Sequence, residues 1–305
     1  MPGNIIEVSH YTQKYGDFKA VDDISFNVEE GSIFAFLGPN GAGKSTTINT
    51  LCTILSKTDG MLKINGNDVA GHKDRVRADI GIVFQESTLD NNLTVFDNLK
   101  LHCDFYNVPY EEVKKRIDFA LSLVDMLDWK KSVVKGLSGG MKRRVEIARG
   151  LVHFPRVLFL DEPTAGLDAQ TRANIWEYIR KLQKQKNITI FMTTHYMEEA
   201  EICDHLAIID HGKIAANGTL YDLKRKYSSS VTRIMTGDTA ALRGYLDARS
   251  VDFKEDGGLI TFHSNNTELV LDIASRFKSS ITDLEINKGT LNDVYLSITG
   301  KEVRS

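Results

Sequence analysis

Gly38-Pro39-Asn40-Gly41-Ala42-Gly43-Lys44-Ser45 is the stretch on which the reading of this sequence turns. It follows the apolar run Ser32-Ile33-Phe34-Ala35-Phe36-Leu37. It opens a segment in which Ile48, Leu51, Cys52 and Leu55 recur at i, i+3, i+4 and i+7, the spacing of one helix face. The pattern G-x-x-x-x-G-K-[ST], set between a buried strand and a helix, is that of a phosphate-binding loop. The reason is geometric. Glycines let the backbone wrap closely, so that successive N–H groups point at an anion, and the helix N-terminus adds the positive end of its dipole. Lys44 is then placed to reach the β- and γ-phosphates of a nucleotide, and the Ser45 hydroxyl to ligate Mg²⁺.

Three further apolar runs have strand length: Ile80–Phe84, Val157–Leu160 and Ile188–Met192. Continuous β-branched and aromatic runs of this kind suit strands buried on both faces of a largely parallel sheet. Each ends in polar groups. Asp161 and Glu162 close the third run of the chain, at the edge where α/β sheets bind ligands. Asp161 suits a role in holding Mg²⁺, directly or through water, and Glu162 is placed to polarise an attacking water as general base. Gln85 follows Phe84, and His195 follows Thr193-Thr194. Gln85 is suited to sense Mg²⁺ and the attacking water, His195 to hydrogen-bond the γ-phosphate. Singly, each reads as a surface loop residue. Together with the phosphate loop they converge on one edge of one sheet.

Leu137-Ser138-Gly139-Gly140-Met141 precedes a helix that runs through Gly150. Ser138 is a preferred N-cap residue, and with Gly139 and Gly140 it also forms an anion-binding helix start. One loop already cradles the nucleotide, so this second helix start is expected to act on a nucleotide held by another copy. Lys142-Arg143-Arg144 reads as a solvated helix face. Asp168 is expected to cap a helix over 169–184, to cross a dimer interface, or both.

The remaining chain supplies the architecture. Ile5–Tyr11 and Val21–Val28 alternate partially, as antiparallel strands with one exposed face do. Helices over Val95–Asn107 and Glu111–Leu127, split by Pro109, form a helical insert of about 86–155. Leu206–Asp210, His211-Gly212 and Lys213–Ala216 read as a hairpin, followed by a helix over Leu220–Tyr227. Ser228-Ser229-Ser230 marks a boundary, giving domains 1–228 and 229–305. Beyond it the elements run strand (Val231–Met235), helix (Thr239–Ala248), strand (Val251–Lys254), strand (Leu259–His263), helix (Thr267–Phe277), strand (Ile281–Asn287) and helix (Leu291–Ile298). The first six make a βαββαβ order, the ferredoxin-like arrangement. The fold class expected is α/β with an antiparallel β subdomain and a helical insert, plus a small C-terminal α+β domain.

Composition narrows the function. The chain has 305 residues, 42% apolar and 26% charged, with a formal net charge of -3. These values suit an ordinary two-domain globular protein, and no basic surplus points to nucleic acid. No stretch approaches the roughly 18 apolar residues of a membrane span, and Met1-Pro2-Gly3-Asn4 lacks the blocks of a signal peptide. Cys52, Cys103 and Cys203 are far apart, without metal spacing, and are expected to be reduced thiols.

The ordered set of motifs resembles the ATP-binding subunit of an ATP-binding cassette (ABC) transporter, a phosphate-loop NTPase cassette covering about the first 225 residues. The set comprises Tyr15, Gly38–Ser45, Gln85, Leu137–Met141, Asp161-Glu162, Ala165–Asp168 and His195. The resemblance implies that Tyr15 stacks on adenine. It implies an ATPase that uses ATP and Mg²⁺, the metal held by Ser45, Gln85 and Asp161. Two MgATP would lie in a head-to-tail homodimer, each between Gly38–Thr46 of one copy and Ser138–Gly140 of the other, with Asp168 at the interface. Met141 stands where the commonest family form has Gln, a departure at a side chain rather than at Ser138 or the glycines. Leu137–Leu151, Thr193–Ala200 and Gly289–Gly300 further resemble the ATPase subunits of ABC-2-type exporters, including the daunorubicin/doxorubicin-resistance and sodium-export groups. That resemblance implies separate transmembrane permease subunits and a peripheral position at the cytoplasmic face of the membrane. The competing readings are a soluble ABC ATPase acting on ribosomes or DNA, and an importer ATPase.

Overall fold

The computed structural model describes residues 3–300, the side chain of residue 185 aside. The chain divides into two compact units, one ending at Gly218 and the other starting at Thr219.

In the first unit, β1 (Asn4–Tyr15) and β2 (Phe18–Glu29) form an antiparallel hairpin closed at Gly16-Asp17. Strand β3 (Ile33–Leu37) leads through the glycine-rich loop into α1 (Lys44–Leu51). Next come β4 (Asp59–Ile64), β5 (Asn67–Asp68), α2 (Lys73–Asp79) and β6 (Ile80–Val83). The helical insert holds α3 (Val95–Phe105), α4 (Tyr110–Leu123) and α5 (Gly139–Leu151). The unit finishes with β7 (Val157–Asp161), α6 (Ala169–Lys186), β8 (Thr189–Thr194), α7 (Met197–Ala200), β9 (His205–Asp210) and β10 (Lys213–Gly218).

Two sheets result. One is antiparallel, in the order β2-β1-β4-β5; the other has the order β10-β9-β3-β8-β7-β6 and is parallel apart from β10. Every residue of β3, β7 and β8 is buried, as their unbroken apolar runs predict. Alternate residues of a strand share a face, so Phe34 and Phe36 of β3 point the same way. They meet Phe191 of β8 and Phe26 of β2, with ring centroids 4.9 to 6.0 Å apart. These rings join the two sheets into one core.

Several boundaries differ from expectation. Helix α1 ends at Leu51, not at Leu55. Cys52 caps it and Thr53 turns left-handed (φ 61°), which leaves Leu55 half-buried beyond the helix. Helix α4 ends at Leu123, because Asp125 is left-handed (φ 52°), and Leu127–Trp129 forms a separate 3-10 turn. Strands β4 and β5 and helix α2 carry weak periodicity in the sequence. Strand β4 completes the antiparallel sheet against β1, and β5 pairs with β4.

In the second unit the elements are α8 (Leu220–Tyr227), β11 (Val231–Thr236), α9 (Thr239–Asp247), β12 (Phe253–Asp256), β13 (Leu259–His263), α10 (Thr267–Arg276), β14 (Ile281–Asn287) and α11 (Leu291–Thr299). Its sheet is antiparallel throughout, in the order β12-β13-β11-β14. Ile234, Ile260 and Phe262 of the sheet pack on Leu242, Leu246 and Ile273 of α9 and α10. Helix α8 packs against α11 within this unit.

Candidate nucleotide site at the carboxyl ends of the parallel strands

The loop after β3 is shaped by glycine. Gly41 and Gly43 have φ of 81° and 103°, which L-residues rarely adopt, and a Cβ on Gly43 would stand 2.7 Å from the Ala20 carbonyl oxygen. Gly38 serves packing instead. A Cβ there would stand 2.2 Å from the Ile209 carbonyl oxygen, and its own N–H donates to the Thr194 carbonyl at 3.3 Å. Ala42 is buried within the loop. Lys44, the first residue of α1, is buried; its Nζ donates to the carbonyls of Gly38 (2.9 Å) and Pro39 (3.1 Å) and lies 3.2 Å from Glu162 Oε1.

The carboxylates come from the end of β7. Asp161 Oδ1 accepts from Ser45 Oγ at 3.1 Å and from Thr193 Oγ1 at 2.5 Å. Glu162 has φ 45°, a left-handed conformation costly for a residue with a side chain and typical of functional turns. Its N–H donates to Thr193 Oγ1 at 3.0 Å, which helps hold that turn. The turn brings its carboxylate between three partners. Oε1 faces Lys44; Oε2 lies 3.2 Å from His195 Nδ1 and accepts from Gln85 Nε2 at 3.4 Å. The His195 contact is within ion-pair distance without being aligned as a hydrogen bond. Gln85, Glu162, His195 and Lys44 leave β6, β7, β8 and β3, which is also their order across the sheet. The predicted convergence on one sheet edge is what the structure contains.

A cavity of about 390 Å³ opens beside this cluster, lined by Tyr15, Asn40, Gly41, Lys44, Thr46 and Glu162 among others. Tyr15 is 51% exposed at the end of β1, so a ring face is free for stacking. Phe18, its cross-strand partner in the hairpin, lines the same cavity and is 66% exposed. The sequence reading missed it; a second aromatic three residues after Tyr15, across a glycine turn, was the available signal.

The residues suit MgATP as substrate. Asn40, Gly41, Gly43 and Lys44 line the cavity where phosphates would sit, and Tyr15 and Phe18 line it where a base would. Ser45 and Asp161 offer hard oxygen ligands side by side, with the Gln85 amide close by. Among the described residues no three or more of His, Cys, Asp and Glu cluster as a metal site. Mg²⁺ binds through one or two protein oxygens plus substrate phosphates, and Ser45 and Asp161, 3.1 Å apart, can supply two.

Ser138, Gly139, Gly140 and Asp168 do not line this cavity. Ser138 caps α5, accepting from Met141 N–H at 3.3 Å, and Asp168 caps α6, accepting from the N–H (3.0 Å) and hydroxyl (2.6 Å) of Thr171. The Thr171 hydroxyl and these backbone bonds hold the Asp168 carboxyl below the usual carboxylate range. The two helix starts adjoin. A Cβ on Gly139 would touch Leu167, and one on Gly140 would meet Thr171 at 2.4 Å.

Arg143 corrects the expectation of a solvated helix face. It is buried, and its guanidinium donates to the carbonyls of Phe84 and Pro163 (both 2.5 Å), Glu162 (3.1 Å) and Asp161 (3.2 Å) and pairs with Glu146 at 3.0 Å. One side chain thus fastens the ends of β6 and β7 to α5. The signal was periodicity: Arg143, Glu146, Ile147 and Gly150 share one face of α5, and Gly150 packs against β6 at Gly81. Glu146 and Arg149 extend the contact to the loop after Gln85, through Thr88 N–H (3.0 Å) and Thr88 O (2.9 Å).

Among the described residues no helix is long and apolar enough to cross a membrane. A family model described as ABC transporter matches residues 21–165. The Nod factor export ATP-binding protein I of Ralstonia nicotianae is 35% identical over 98% of this chain and 95% of its own. The daunorubicin/doxorubicin resistance ATP-binding protein DrrA of Streptomyces peucetius is 33% identical over 98% and 93%. Among solved structures, a dimeric ATP-binding cassette in a post-hydrolysis state, bound to ADP and Pi, superposes with a TM-score of 0.64. It is 28% identical and covers 70% of this chain and 98% of its own.

Proposed function

The chain belongs to the ATP-binding subunits of ABC transporters, and from that membership we propose that it is the motor of an exporter, working as a homodimer on separate transmembrane permease subunits at the cytoplasmic face of the membrane. It is an ATPase. The observation that carries the catalytic assignment is the position of Glu162, whose carboxylate is surrounded by Lys44, Gln85 and His195 while the adjacent Asp161 is bonded to Ser45.

Each residue has a role that follows from its place. The loop backbone and Lys44 bind the β- and γ-phosphates, and Tyr15 orients the base. Ser45, Asp161 and Gln85 would hold Mg²⁺, which would supply neutralisation of charge developing on the phosphates. Lys44 now contacts Glu162; once Lys44 turns to phosphate, Glu162 is free to accept a proton from the attacking water. His195, beside Glu162, donates a hydrogen bond to the γ-phosphate. Ser138, Gly139, Gly140 and Asp168 sit away from the cavity of their own copy, which supports a role on the nucleotide of a second copy. Nucleotide binding then favours the closed dimer and hydrolysis releases it, because only the triphosphate bridges both subunits. The export assignment is supported by the export and drug-resistance roles named for the relatives.

The test is Glu162→Gln. The variant is expected to bind ATP with near wild-type affinity, to lose turnover about a hundredfold or more, and to elute as an ATP-dependent dimer in size-exclusion chromatography. Wild-type turnover would overturn the assignment of Glu162.

A further inference from the structure

Behind the catalytic edge lies a further buried carboxylate with no part in the roles above. Glu199, on the short helix α7, is 4% exposed. Its two oxygens are taken by two threonine hydroxyls from different strands' exits. Oε1 accepts from Thr164 Oγ1, and Oε2 from Thr194 Oγ1 at 2.5 Å. Both threonines are fully buried. Thr164 stands two residues after Glu162 and four before Asp168; Thr194 immediately precedes His195. The Thr194 oxygen also accepts from Tyr196 N–H at 2.9 Å, which fixes the turn on which His195 sits. Burying a carboxylate is unfavourable unless it is hydrogen-bonded, and burial raises the Glu199 carboxyl above its ordinary value. A leucine or methionine would fill the same space without that penalty. What the carboxylate does that they cannot is accept from both loops at once.

We propose that Glu199 is a positioning residue for hydrolysis: it bridges the loop that carries Glu162 and Asp168 to the turn that carries His195, and so sets the spacing of Glu162 and His195. The proposal rests on the catalytic reading of those two residues. The bridge is short: Thr194 is the last residue of β8, and Thr164 lies in the turn three residues past the end of β7. A shift at either end moves one member of the Glu162–His195 contact, now 3.2 Å, relative to the other.

The test is single-turnover ATP hydrolysis by the full-length chain carrying Glu199→Gln, with ATP affinity measured alongside. Glutamine keeps the volume but must donate its amide N–H₂ to one of the two hydroxyls, so one charge-assisted arm of the bridge is reversed into a weaker neutral bond and that hydroxyl's own proton loses its acceptor. The hydrolysis rate is expected to fall about tenfold, as sub-ångström misplacement of catalytic groups does, with ATP affinity changed less than about twofold. In a His195→Ala background the same substitution is expected to cost less than about a further twofold, because the spacing it sets no longer matters. Thr164→Val and Thr194→Val each remove one arm and are expected to reproduce the loss; they decide the question in the same way if Glu199→Gln fails to fold. An unchanged rate in the folded variants, or an equal loss with and without His195, would overturn the proposal. Wild-type rates in Glu162→Gln and His195→Ala would instead overturn the catalytic reading beneath it.

Discussion

Replacing Arg143 with methionine should destabilise the first unit by about 4 kcal/mol, and the figure follows from its contacts. The guanidinium serves four main-chain carbonyls and Glu146. Each charge-assisted hydrogen bond contributes about 1.5–3 kcal/mol net, but these gains are offset by the desolvation of a buried cation, which here lowers the Arg143 pKa. Removing one member of a buried pair leaves the other uncompensated, at about 3–5 kcal/mol. Methionine replaces the stem and not the fork, so the loss falls in that range. Arg143→Lys should cost about half as much, since a single ammonium cannot reach carbonyls on both β6 and β7. Adding Glu146→Gln to Arg143→Met should restore about 1–2 kcal/mol by removing the stranded charge. Urea unfolding followed by tryptophan fluorescence isolates the relevant transition, because both tryptophans, Trp129 and Trp176, lie in the first unit. A loss below about 1 kcal/mol, or no recovery from the second substitution, would show that Arg143 does not hold the strand ends together.

Lys44→Ala should cut turnover about a hundredfold; a variant with wild-type ATP affinity and rate would contradict the phosphate-loop reading. Tyr15→Ala should weaken ATP binding by a factor corresponding to about 1–3 kcal/mol of base stacking, Tyr15→Phe should restore it, and Phe18→Ala should cost less than Tyr15→Ala. Both side chains are exposed, so thermal stability should hardly move. Acid should weaken the fold through two histidines. Burial, the largest cause for each, lowers His102 to about 3 and His153 to about 4. Their contribution is complete above pH 6.5, the unfolded value, and is lost as the pH falls from there towards 3–4. At pH 5 that amounts to about 2 kcal/mol for each. Urea midpoints at pH 7.5 and 5, compared between wild type and His102→Gln/His153→Gln, should show a smaller pH-dependent drop in the double variant.

The proposed catalytic edge was legible because its signals are positional. Where a run such as Val157–Leu160 is long enough to be a buried strand and ends in Asp161-Glu162, the sheet itself delivers those residues to the ligand-binding edge. The same holds for Gln85, His195 and the loop at Gly38–Ser45. None of this needed knowledge of which strands are neighbours. The boundaries that went astray lie where one residue departs from the periodic backbone: Thr53 and Asp125 turn left-handed and end helices whose apolar spacing continues past them. Strand β4 was invisible for a related reason, since its pairing with β1 is decided by a partner some fifty residues away.

What the sequence hid is a single kind of feature, and it explains why the visible residues work. Lys44, Asp161, Glu162, Gln85 and His195 are set side by side by strand order, but strand order alone leaves their side chains free to point anywhere. Thr193, on the strand between β3 and β7, bonds the Asp161 carboxylate and the Glu162 N–H. Arg143 gathers the carbonyls at the ends of β6 and β7, and Glu199 joins the exits of β7 and β8. These three polar groups are buried, so each was costly to place unless fully bonded. Read singly, a threonine in a strand or an arginine in a basic helix run has a blander explanation, and only the neighbouring strand reveals the acceptor. The residues proposed to meet the nucleotide are therefore marked by where strands end, while those that aim them are marked only by which strands are adjacent.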